Sequence, residues 1–514
     1  MTAASRLDAL QSWDDDWSGL RVVVTGITKT GFSAADTLAE LGAKVVVVAA
    51  SDDDDAVRKA ETLRIVGVKD VLLGTATSTV LPLVDGRPAD LVVTSPGLRP
   101  SHPLLQRAAG EGIPIWGDVE LAWRLRTRAG RKTAEWITIT GTNGKTTTTS
   151  MVESMLQAGG LRAIAAGNIG TPILDAIRDP VGYDALAVEL STFQLHWTSS
   201  VSPVASVCLN IAEDHVDWHG SFEDYAADKA RIYANTRTAC VYNADQIETE
   251  RMVEEANVVE GCRAVGFTTG VPAISMVGVV EGLLVDRAFI AERKDSAVEL
   301  ASVADIGELV PRHLVANALA AAALVRAYGL EPDAVREGLR RYEPGEHRIQ
   351  PVATRDGVLW VNDSKATNPH AAGASLAAFS PVIWIAGGLS KGVDYGPLVS
   401  SHAARLKAVV LIGTDTAALR VALARHAPDV PVIEAGSPQT EMVQTVSAPP
   451  DLGRAVMAGA VAAAARLAAA GDTVLMAPAA ASMDQFSSYA HRGDAFIDAV
   501  RKLLEGQATT SKEL

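Results

Sequence analysis

Cysteine is scarce in this chain of 514 residues, which contains only Cys208, Cys240 and Cys262. The three form no CxxC pair and no regular spacing, so the sequence lacks the disulfide framework of small secreted domains. The N-terminal segment, with an acidic run at 14–16, also lacks the basic start and apolar core of a signal peptide. These absences favour buried thiols in a reducing compartment, and we expect a cytoplasmic protein.

Basic residues are in deficit as well: 46 Lys and Arg stand against 61 Asp and Glu, which gives a net charge of −15. A nucleic-acid or anionic-membrane surface needs a dominant basic footprint, so we expect no nucleic-acid partner. The alanine-rich run at 455–470 follows Arg454 and contains Arg466, which favours a helix of a soluble protein over a membrane span. We therefore expect no membrane insertion, and any anionic ligand needs a local basic site.

Apolar residues occur in short β-branched runs that alternate with Ala- and Leu-rich segments almost throughout. Such alternation is typical of βαβ units on parallel sheets, so the sequence predicts an α/β fold. The runs that we predict to be strands are RVVVTG, KVVVV, LVVTSPG, WITITG, ALAVEL, ASVCLNI, VIWIAGG, AVVLIG and TVLMAP.

Two breaks in composition divide the chain, at 127–133 (TRAGRKT) and at 343–346 (EPGE). Both resemble linkers, because turn-forming and charged residues replace the apolar pattern there. The length suits two to four hydrophobic cores. Together these features predict three domains, at 1–130, 131–344 and 345–514.

A candidate phosphate-binding loop, TITGTNGKTTTT at 138–149, follows the strand WITIT. It is shorter than the Walker pattern, because Ile139 stands where that pattern has its first glycine and the loop's own first glycine is Gly141. Backbone N–H groups and the Lys145 ammonium can surround a phosphate, and the Thr146 hydroxyl can reach Mg²⁺. The strand before the loop and the helix after it favour a nucleotide site over a chance match.

Acidic and imidazole groups follow two other predicted strands. Glu189 closes ALAVEL, and the turn NIAEDHVDWHG places five further polar groups together, namely Asn210, Glu213, Asp214, His215 and Asp217. Oxygen donors with an imidazole suit Mg²⁺ or Mn²⁺, although an acidic loop that caps a helix would have the same composition. His215 and His219 lack an HExxH context, so zinc is not expected.

The first strand-turn, VVVTGITKTGFSAAD, contains Gly26 and Gly31. A helix after Gly31 would offer free N–H groups to an anion, but plain packing of strand on helix explains the two glycines equally well. A dinucleotide site would need an acid at the end of the second strand, where Ala49 stands. This counts against a nicotinamide cofactor.

The last third carries three more clusters of polar groups. WVNDSKATNPHA contains Asp363, Lys365 and Thr367, which are as consistent with helix capping as with a binding site. Lys391 lies in the Gly-rich turn GGLSKGVDY. Ser482 lies where we expect a strand to give way to a helix, and a hydroxyl with backbone N–H groups there would suit a carboxylate.

These segments, in this order, resemble the Mur ligase family, the ATP-dependent amide-forming enzymes that build the peptidoglycan stem peptide. The resemblance spans nearly the whole chain and rests on TGTNGKT at 140–146, GNIG at 167–170, ELSTFQL at 189–195, NIAEDHVDWH at 210–219 and DYAADKARIY at 224–233. It implies a Rossmann-like N-terminal domain, a central P-loop ATPase-like domain and a C-terminal Rossmann-like domain.

The C-terminal motifs resemble the D-glutamate-adding branch of the family. They are NDSKATN at 362–368, GGLSKGVD at 387–394 and PAAASMDQFSSYAHRGDAF at 478–496, and the Asp-Asn-Pro-Arg signature of the diaminopimelate-adding branch is missing. The resemblance implies a monomeric enzyme whose substrates are UDP-N-acetylmuramoyl-L-alanine, D-glutamate and ATP. It also implies two Mg²⁺ ions, for which Mn²⁺ can substitute.

The resemblance assigns roles by position. The implied ATP-binding residues are Gly141, Thr142, Asn143, Gly144, Lys145, Thr146, Thr147, His313, Asn317, Arg348 and Asp363. The implied metal ligands are Thr146, Glu189, His215 and Lys229, the last as a carbamate. The implied catalytic set is Lys145, Asn168, His215, Lys229, Arg348 and Lys365. The implied D-glutamate contacts are Lys365, Thr367, Lys391, Ser482 and Tyr489, and those to the UDP substrate are Thr28, Lys29, Ser95, Gly97 and Asn168.

The sequence departs from the family pattern at several positions. Pro311 and Leu314 replace the Gly and the first Asn of Gly-x-His-Asn-x-x-Asn, which affects one adenine-side hydrogen bond. Ala480 replaces a Cys, Tyr489 stands where Phe is usual, and Ala49 replaces an Asp near the uracil contacts. Two alternatives stay open at this point: a folylpolyglutamate synthase, which should lack NDSKATN, and a regulatory nucleotide-binding module with a decayed site.

Overall fold

A computed structural model describes residues 3–307, 309–390, 392–435 and 452–510. The chain forms two compact units, which consist of Met1–Val310 with Leu314–Tyr342 and of Pro311–His313 with Glu343–Leu514. Among these described residues, the first unit contains two β-sheets and the second contains one. The exact domain limits at 130 and 344 stay predictions.

The N-terminal part of the first unit is a parallel sheet with helical connections. Its elements are α1 (Ala3–Ala9), β1 (Arg21–Thr25), α2 (Lys29–Glu40), β2 (Lys44–Ala49), α3 (Asp54–Ile65), β3 (Asp70–Leu73), α4 (Thr75–Ser78), β4 (Leu91–Thr94), α5 (Pro103–Gly110), β5 (Ile115–Gly117) and α6 (Asp118–Leu125). The strand order is β3-β2-β1-β4-β5. The Val-rich central strands are buried on both faces, as a covered parallel sheet requires.

The rest of the first unit is built on a nine-stranded sheet. Its elements are β6 (Glu135–Thr140), α7 (Lys145–Ala158), β7 (Ala163–Gly167), α8 (Ile173–Arg178), β8 (Ala185–Glu189), α9 (Thr192–His196), β9 (Ala205–Cys208), α10 (Val216–His219), α11 (Phe222–Ala230), β10 (Ala239–Asn243), α12 (Ile247–Glu254), β11 (Arg263–Phe267), β12 (Met276–Val280), β13 (Leu283–Asp286), β14 (Val298–Ser302), α13 (Arg312–Tyr328) and α14 (Pro332–Arg341), with short 3₁₀ helices at Arg231–Tyr233 and Val303–Asp305. The order is β14-β13-β12-β11-β10-β9-β6-β8-β7. Strands β12 to β14 pair antiparallel, and the other pairs are parallel.

The second unit contains a six-stranded sheet. Its elements are β15 (Gln350–Arg355), β16 (Val358–Asn362), α15 (Pro369–Leu376), β17 (Val382–Ala386), α16 (Gly396–His402), β18 (Leu406–Leu411), α17 (Ala417–His426), β19 (Val432–Glu434), α18 (Leu452–Leu467), β20 (Thr473–Met476) and α19 (Tyr489–Thr510), with a short 3₁₀ helix at Ala403–Arg405. The order is β15-β16-β20-β17-β18-β19, in which β15 pairs antiparallel with β16 and the strand pairs that follow are parallel.

All nine runs predicted to be strands form strands of these sheets, so the α/β fold class is confirmed. The alanine-rich run at 455–470 lies mostly within α18, which packs one face on the third sheet. Across the parts of the chain that are described, no helix combines the length and apolar character needed to cross a membrane.

The helix predicted to follow Gly31 begins earlier, at Lys29, and Thr28 precedes it as the N-cap. A Cβ on Gly31 would lie only 2.2 Å from the Gly26 carbonyl oxygen. Gly31 therefore lets α2 pack closely against the end of β1, and its place inside the helix supports the packing interpretation. The prediction of a helix start after Gly31 was wrong, because Gly31 packs from within the first turn.

A buried carboxylate joins α6 to the loop after α9 within the first unit. Glu120 accepts hydrogen bonds from the backbone N–H groups of Ser199 and Ser200, each at 2.9 Å, and from Arg124 Nε at 2.8 Å. Burial raises the pKa of Glu120, but hydrogen bonds from Ser200, Ser199 and Arg124 outweigh it and leave the pKa lowered. The ionised carboxylate is therefore fully partnered in this junction.

Asp118, which opens α6, is a poorly partnered carboxylate in the same junction. Its Oδ2 accepts from the Gln194 amide at 3.3 Å, and its Oδ1 is buried without a hydrogen-bond partner among the described residues. Burial raises the pKa of Asp118 from 3.8 to about 6. Because this folded-state pKa lies above the unfolded value, stability falls as pH rises from about 4 to about 6 and stays lowered above that range.

Asp118→Asn is therefore expected to stabilise the protein at pH 8 but not at pH 4. The rise from 3.8 to about 6 corresponds to at most about 3 kcal/mol. Denaturant unfolding at the two pH values measures the change, and Asp8→Asn at an exposed position is the control. Equal effects of Asp118→Asn at both pH values would contradict the explanation.

Candidate functional site

The C-terminal ends of four parallel strands meet at one edge of the second sheet. Ile139 pairs with Glu189, Thr140 with Cys208, and Gly167 also with Glu189. The loops that follow β6, β7, β8 and β9 therefore leave the sheet side by side. In parallel α/β sheets this edge is where ligands bind, and it collects the phosphate loop, Asn168 and the acidic turn.

The phosphate loop has a backbone that requires glycine. Gly141 and Gly144 have φ of 155° and 83°, and a Cβ on Gly144 would lie 2.4 Å from the Asn317 amide oxygen. Lys145 Nζ donates to the carbonyl oxygens of Gly141 and Thr142, at 2.8 and 2.9 Å. Helix α7 begins at Lys145, so the N–H groups of its first turn and its positive dipole end face the loop.

Asn210 supports this loop directly. Its Oδ1 accepts from the Asn143 N–H at 2.9 Å, and its Nδ2 donates to the Asn143 carbonyl at 3.0 Å. Thr142 N–H also donates to the Asn210 carbonyl at 3.0 Å. Both polar atoms of the Asn210 amide are thus used to shape the loop, which corrects the prediction that Asn210 belongs with the candidate metal ligands.

Glu189 and Asn168 form a buried pair beside the loop. Asn168 Nδ2 donates to Glu189 Oε1 at 2.8 Å, and the Asn168 N–H donates to the Glu189 carbonyl at 2.9 Å. Glu189 is 1% exposed, and its Oε2 is buried without a hydrogen-bond partner in the described ranges. An unpaired carboxylate oxygen in such a position fits a Mg²⁺ ligand, because Mg²⁺ prefers carboxylate oxygens.

His215 precedes α10 in a left-handed conformation, with φ of 51°. Its ring contacts Phe193 edge-on, with ring centroids 4.9 Å apart. Asp217 instead forms an exposed ion pair with Arg99 at 2.9 Å, so it is not directed to the loop. Among the described residues no three His, Cys, Asp or Glu side chains are grouped tightly enough to hold a metal by themselves. A metal here would also need the Thr146 hydroxyl, water or substrate oxygens.

Lys229 is buried near the phosphate loop. It is 2% exposed, and its Nζ lies 4.7 Å from the centre of the Tyr225 ring. Burial lowers the pKa of Lys229 to about 7; nearby Cys208 and Asp214 raise it and the charge of Lys145 lowers it. A large fraction of the amine is therefore neutral at physiological pH, which is unusual for lysine. No local pattern in the sequence indicates this burial, and only the family resemblance pointed to Lys229.

Four of the five residues predicted to bind the UDP substrate lie at the C-terminal edge of the first sheet, and the fifth, Asn168, follows β7 of the second sheet. Thr28 and Lys29 are exposed at the start of α2, and Gly97 is exposed in the loop after β4. The Ser95 hydroxyl donates to the Thr25 carbonyl, and the Ser95 N–H donates to Thr25 Oγ1 at 3.0 Å. Ser95 thus ties the ends of β1 and β4 together, and a substrate role for these residues stays a prediction.

In the second unit, Asp363 and Arg348 lie together. Asp363 is 7% exposed, and it accepts hydrogen bonds from Ser375 Oγ and from the Ile349 N–H. Burial raises the pKa of Asp363 to about 6, although these hydrogen bonds and the positive charge of Arg348 lower it. The helix after this turn is capped by Asn368, whose Oδ1 accepts from the Ala371 N–H at 2.8 Å, so neither Asp363 nor Thr367 is the cap.

Lys365 and Tyr489 face each other, with Lys365 Nζ 3.8 Å from the centre of the Tyr489 ring. Thr367 follows two residues later, in a turn where its N–H donates to the Lys365 carbonyl. This brings three of the predicted D-glutamate contacts to one place. The fourth, Lys391, lies outside the described residues.

Ser482 is buried in the loop between β20 and α19, and the helix begins only at Tyr489. The predicted direct change from strand to helix at Ser482 was therefore wrong, because 477–488 form an intervening loop. Arg492, which the sequence reasoning did not single out, fixes this region: it is 1% exposed and donates to the carbonyl oxygens of Ser364 and Ala480 at 2.8 and 3.1 Å. A buried arginine that ties two loops together carries no local sequence signal.

His313 and Asn317 lie one helical turn apart on α13. Asn317 belongs to the first unit and contacts Gly144, whereas His313 belongs with the second unit. Asn317 is therefore placed beside the phosphate loop.

Comparison with known proteins matches all three parts of the chain. Residues 20–117 match the Mur ligase MurD-like N-terminal domain, residues 139–325 the Mur ligase middle domain, and residues 347–480 the Mur ligase glutamate ligase domain. The chain is 53% identical to UDP-N-acetylmuramoylalanine--D-glutamate ligase of Leifsonia xyli, over 99% of this chain and 98% of that protein. It is 52% identical to the enzyme of the same name from Streptomyces coelicolor, over 95% and 99%.

Two solved structures share the fold at low sequence identity. MurF ligase from Thermotoga maritima, solved in complex with ADP, aligns with a TM-score of 0.54 at 16% identity, over 95% of this chain and 99% of that one. A pseudomurein peptide ligase type C from Methanothermus fervidus aligns with a TM-score of 0.52 at 17% identity, over the same shares. At these identities the likeness concerns the fold alone.

Proposed function

The chain belongs to the Mur ligase family, and from this premise we propose that it is an ATP-dependent ligase that joins D-glutamate to UDP-N-acetylmuramoyl-L-alanine in peptidoglycan precursor synthesis. The observation that carries the proposal is similarity to D-glutamate ligases over almost the whole chain, phosphate loop and C-terminal motifs included. NDSKATN at 362–368 speaks against a folylpolyglutamate synthase. The intact loop and its buried partners speak against a decayed regulatory module.

The reaction transfers the γ-phosphoryl group of ATP to the carboxylate of the nucleotide substrate. Two anions must approach, so catalysis depends on positive charge and N–H dipoles placed around the phosphates. Lys145 and the N–H groups at the start of α7 provide both. Asn168 is held by Glu189 and would steer the transferred group, and Arg348 is proposed to add positive charge. The amine of D-glutamate then attacks the acyl phosphate, the amide bond forms and phosphate leaves.

Mg²⁺ fits the edge of the second sheet, with Thr146, Glu189 and His215 as its protein ligands. The unpaired, buried Oε2 of Glu189 supports this choice. When bound, Mg²⁺ neutralises phosphate charge and orients the transferred group. Glu189 holds the Asn168 amide with one carboxylate oxygen. Its second oxygen would be the ligand for Mg²⁺.

Lys229 would carry a carbamate and bind a second Mg²⁺. A neutral amine is the form that attacks CO₂; it loses a proton as the C–N bond forms and leaves a carboxylate-like group. The burial of Lys229, and the resulting drop in the pKa of its amine, favour this reaction. The modification also replaces a poorly solvated cation with an anion that Mg²⁺ can neutralise.

D-Glutamate carries two carboxylates, which need cationic and hydroxyl partners. Lys365 and Thr367 share one turn, and Tyr489 holds the Lys365 ammonium over its ring. Together with Ser482 and Lys391 they form the proposed clamp, which would hold the amine near the acyl carbon. The proposed enzyme acts as a cytoplasmic monomer on these small-molecule substrates.

Phosphate release from ATP tests the proposal, with Mg²⁺ and UDP-N-acetylmuramoyl-L-alanine present and D-glutamate, L-glutamate or D-aspartate offered in turn. Release with D-glutamate alone is the expected result, and mass spectrometry should find the amide product. Release with none of the three, from a folded protein that still binds ATP, would contradict the proposal and point to another acceptor nucleotide.

A further inference from the structure

A buried histidine, His219, bridges two helices in the first unit. It is the last residue of α10, and its Nδ1 lies 3.0 Å from Asp228 Oδ2 on α11. Its Nε2 lies 3.0 Å from the hydroxyl of Thr192, the first residue of α9. The His219 side chain has no exposed surface. We call these three residues the His219 clip.

The hydrogen bonds of the clip are mutually consistent. Asp228 accepts, so His219 Nδ1 carries the proton and donates it. In the neutral ring Nε2 is then an acceptor, and the Thr192 hydroxyl donates to it. Both ring nitrogens are thus used, each towards a different helix.

Aromatic side chains fix the plane of the His219 ring. Phe193 stacks on it with ring centroids 5.7 Å apart, and Trp218 and Tyr225 lie at 4.5 and 5.3 Å. Another aromatic residue would fill this space, but only imidazole offers polar atoms on two opposite edges. The surroundings therefore favour histidine for its two hydrogen bonds as well as for its volume.

Each segment held by the clip carries one residue proposed to bind Mg²⁺. Glu189 ends β8, three residues before Thr192, and His215 immediately precedes α10. Lys229 directly follows Asp228 on α11. These three segments are separate in sequence, and His219 contacts two of them while belonging to the third.

We propose that His219 is a positioning residue, which holds Glu189, His215 and Lys229 in the arrangement that binds Mg²⁺; this inference rests on the proposed function. His219 itself touches no reacting group. Residues that orient metal ligands from behind usually change metal affinity by about 10- to 100-fold when they are replaced.

The test measures Mn²⁺ binding by electron paramagnetic resonance, in the presence of a non-hydrolysable ATP analogue and without turnover. His219→Phe keeps the ring volume and removes both hydrogen bonds, and we expect Mn²⁺ affinity to fall about 10- to 100-fold. Thr192→Val removes only one bond at constant volume, and a smaller fall is expected. The KM for D-glutamate of either variant should stay that of the wild type, because the D-glutamate contacts lie in the second unit.

A matched variant serves as the control. Thr198→Val removes a hydroxyl that bonds within its own segment, to the Leu195 carbonyl at 2.8 Å. It should leave Mn²⁺ affinity unchanged.

Unchanged Mn²⁺ affinity in Thr192→Val and His219→Phe would overturn the proposal, as would an equal loss in Thr198→Val. If His219→Phe does not fold, the Mn²⁺ affinity of Thr192→Val decides whether the proposal holds. The proposed function fails separately: a wild type that binds Mn²⁺ but releases no phosphate contradicts the ligase activity, whereas an active wild type with unchanged variants contradicts only the role of His219.

Discussion

Lys145→Ala is expected to lower kcat for phosphate release by about 1000-fold, because it removes the fixed positive charge beside the transferred phosphoryl group. Lys145 Nζ donates to two carbonyl oxygens of its own loop, and the variant should keep its fold. Steady-state kinetics and circular dichroism measure the two effects. ATP affinity should fall as well, since the same ammonium binds the phosphates in the ground state.

Lys132→Ala is the matched control for this change. Lys132 lies just before β6, and it forms an exposed ion pair with Asp184 at 2.7 Å. Exposed pairs contribute little, so its activity should equal that of the wild type. A Lys145→Ala enzyme with wild-type kcat would show that the loop does not act on the transferred phosphate.

Lys229→Met is expected to reduce activity about 100-fold or more while the protein remains folded, because methionine keeps the buried stem but cannot form a carbamate. Burial lowers the pKa of Lys229 to about 7 from 10.5, so charging this amine opposes folding. That cost is fully present below pH 7 and disappears as pH rises past 10.5. Lys229→Met has no amine to charge at this position. It should therefore be at least as stable at pH 6 as wild-type protein that lacks the carbamate.

Carbon-13 NMR with labelled bicarbonate measures the modification itself. A carbamate signal should appear in the wild type and be absent from Lys229→Met, and removal of CO₂ should lower wild-type activity only. Lys69→Met, at a lysine with a 54% exposed side chain, is the control and should keep both the signal and the activity. An active Lys229→Met enzyme would exclude a role for the carbamate.

The fold class could be predicted because the central strands carry their own signal. A strand buried on both faces, such as β6 or β17, must be a short continuous apolar run, and such runs are visible in the sequence. Strands β14 (Val298–Ser302) and β15 (Gln350–Arg355) are among those that were not predicted. They are partly exposed and contain polar residues, and pairing with neighbouring strands determines them more than composition does.

The candidate site likewise has features that could be predicted from the sequence and features that could not. The spacing of Gly141, Gly144 and Lys145 indicated the phosphate loop, because the backbone conformation and the charge that a phosphate needs are local properties. The local sequence could not distinguish a metal ligand from an amide that supports the loop. Glu189 ends β8, and Asn210 lies two residues after the end of β9. Asn210 supports the loop, whereas Glu189 has a carboxylate oxygen without a hydrogen-bond partner among the described residues.

The sequence by itself determined the α/β class, the phosphate loop and the family to which the chain belongs. Tertiary structure alone decided that Asn210 pairs with Asn143, that His219 joins three segments, and that Lys229 is buried with a lowered pKa. These properties depend on partners many residues away, and the register of parallel strands brings those partners together. Hydrogen bonding and desolvation act through space, so residue types and spacing cannot specify them before the sheets are assembled.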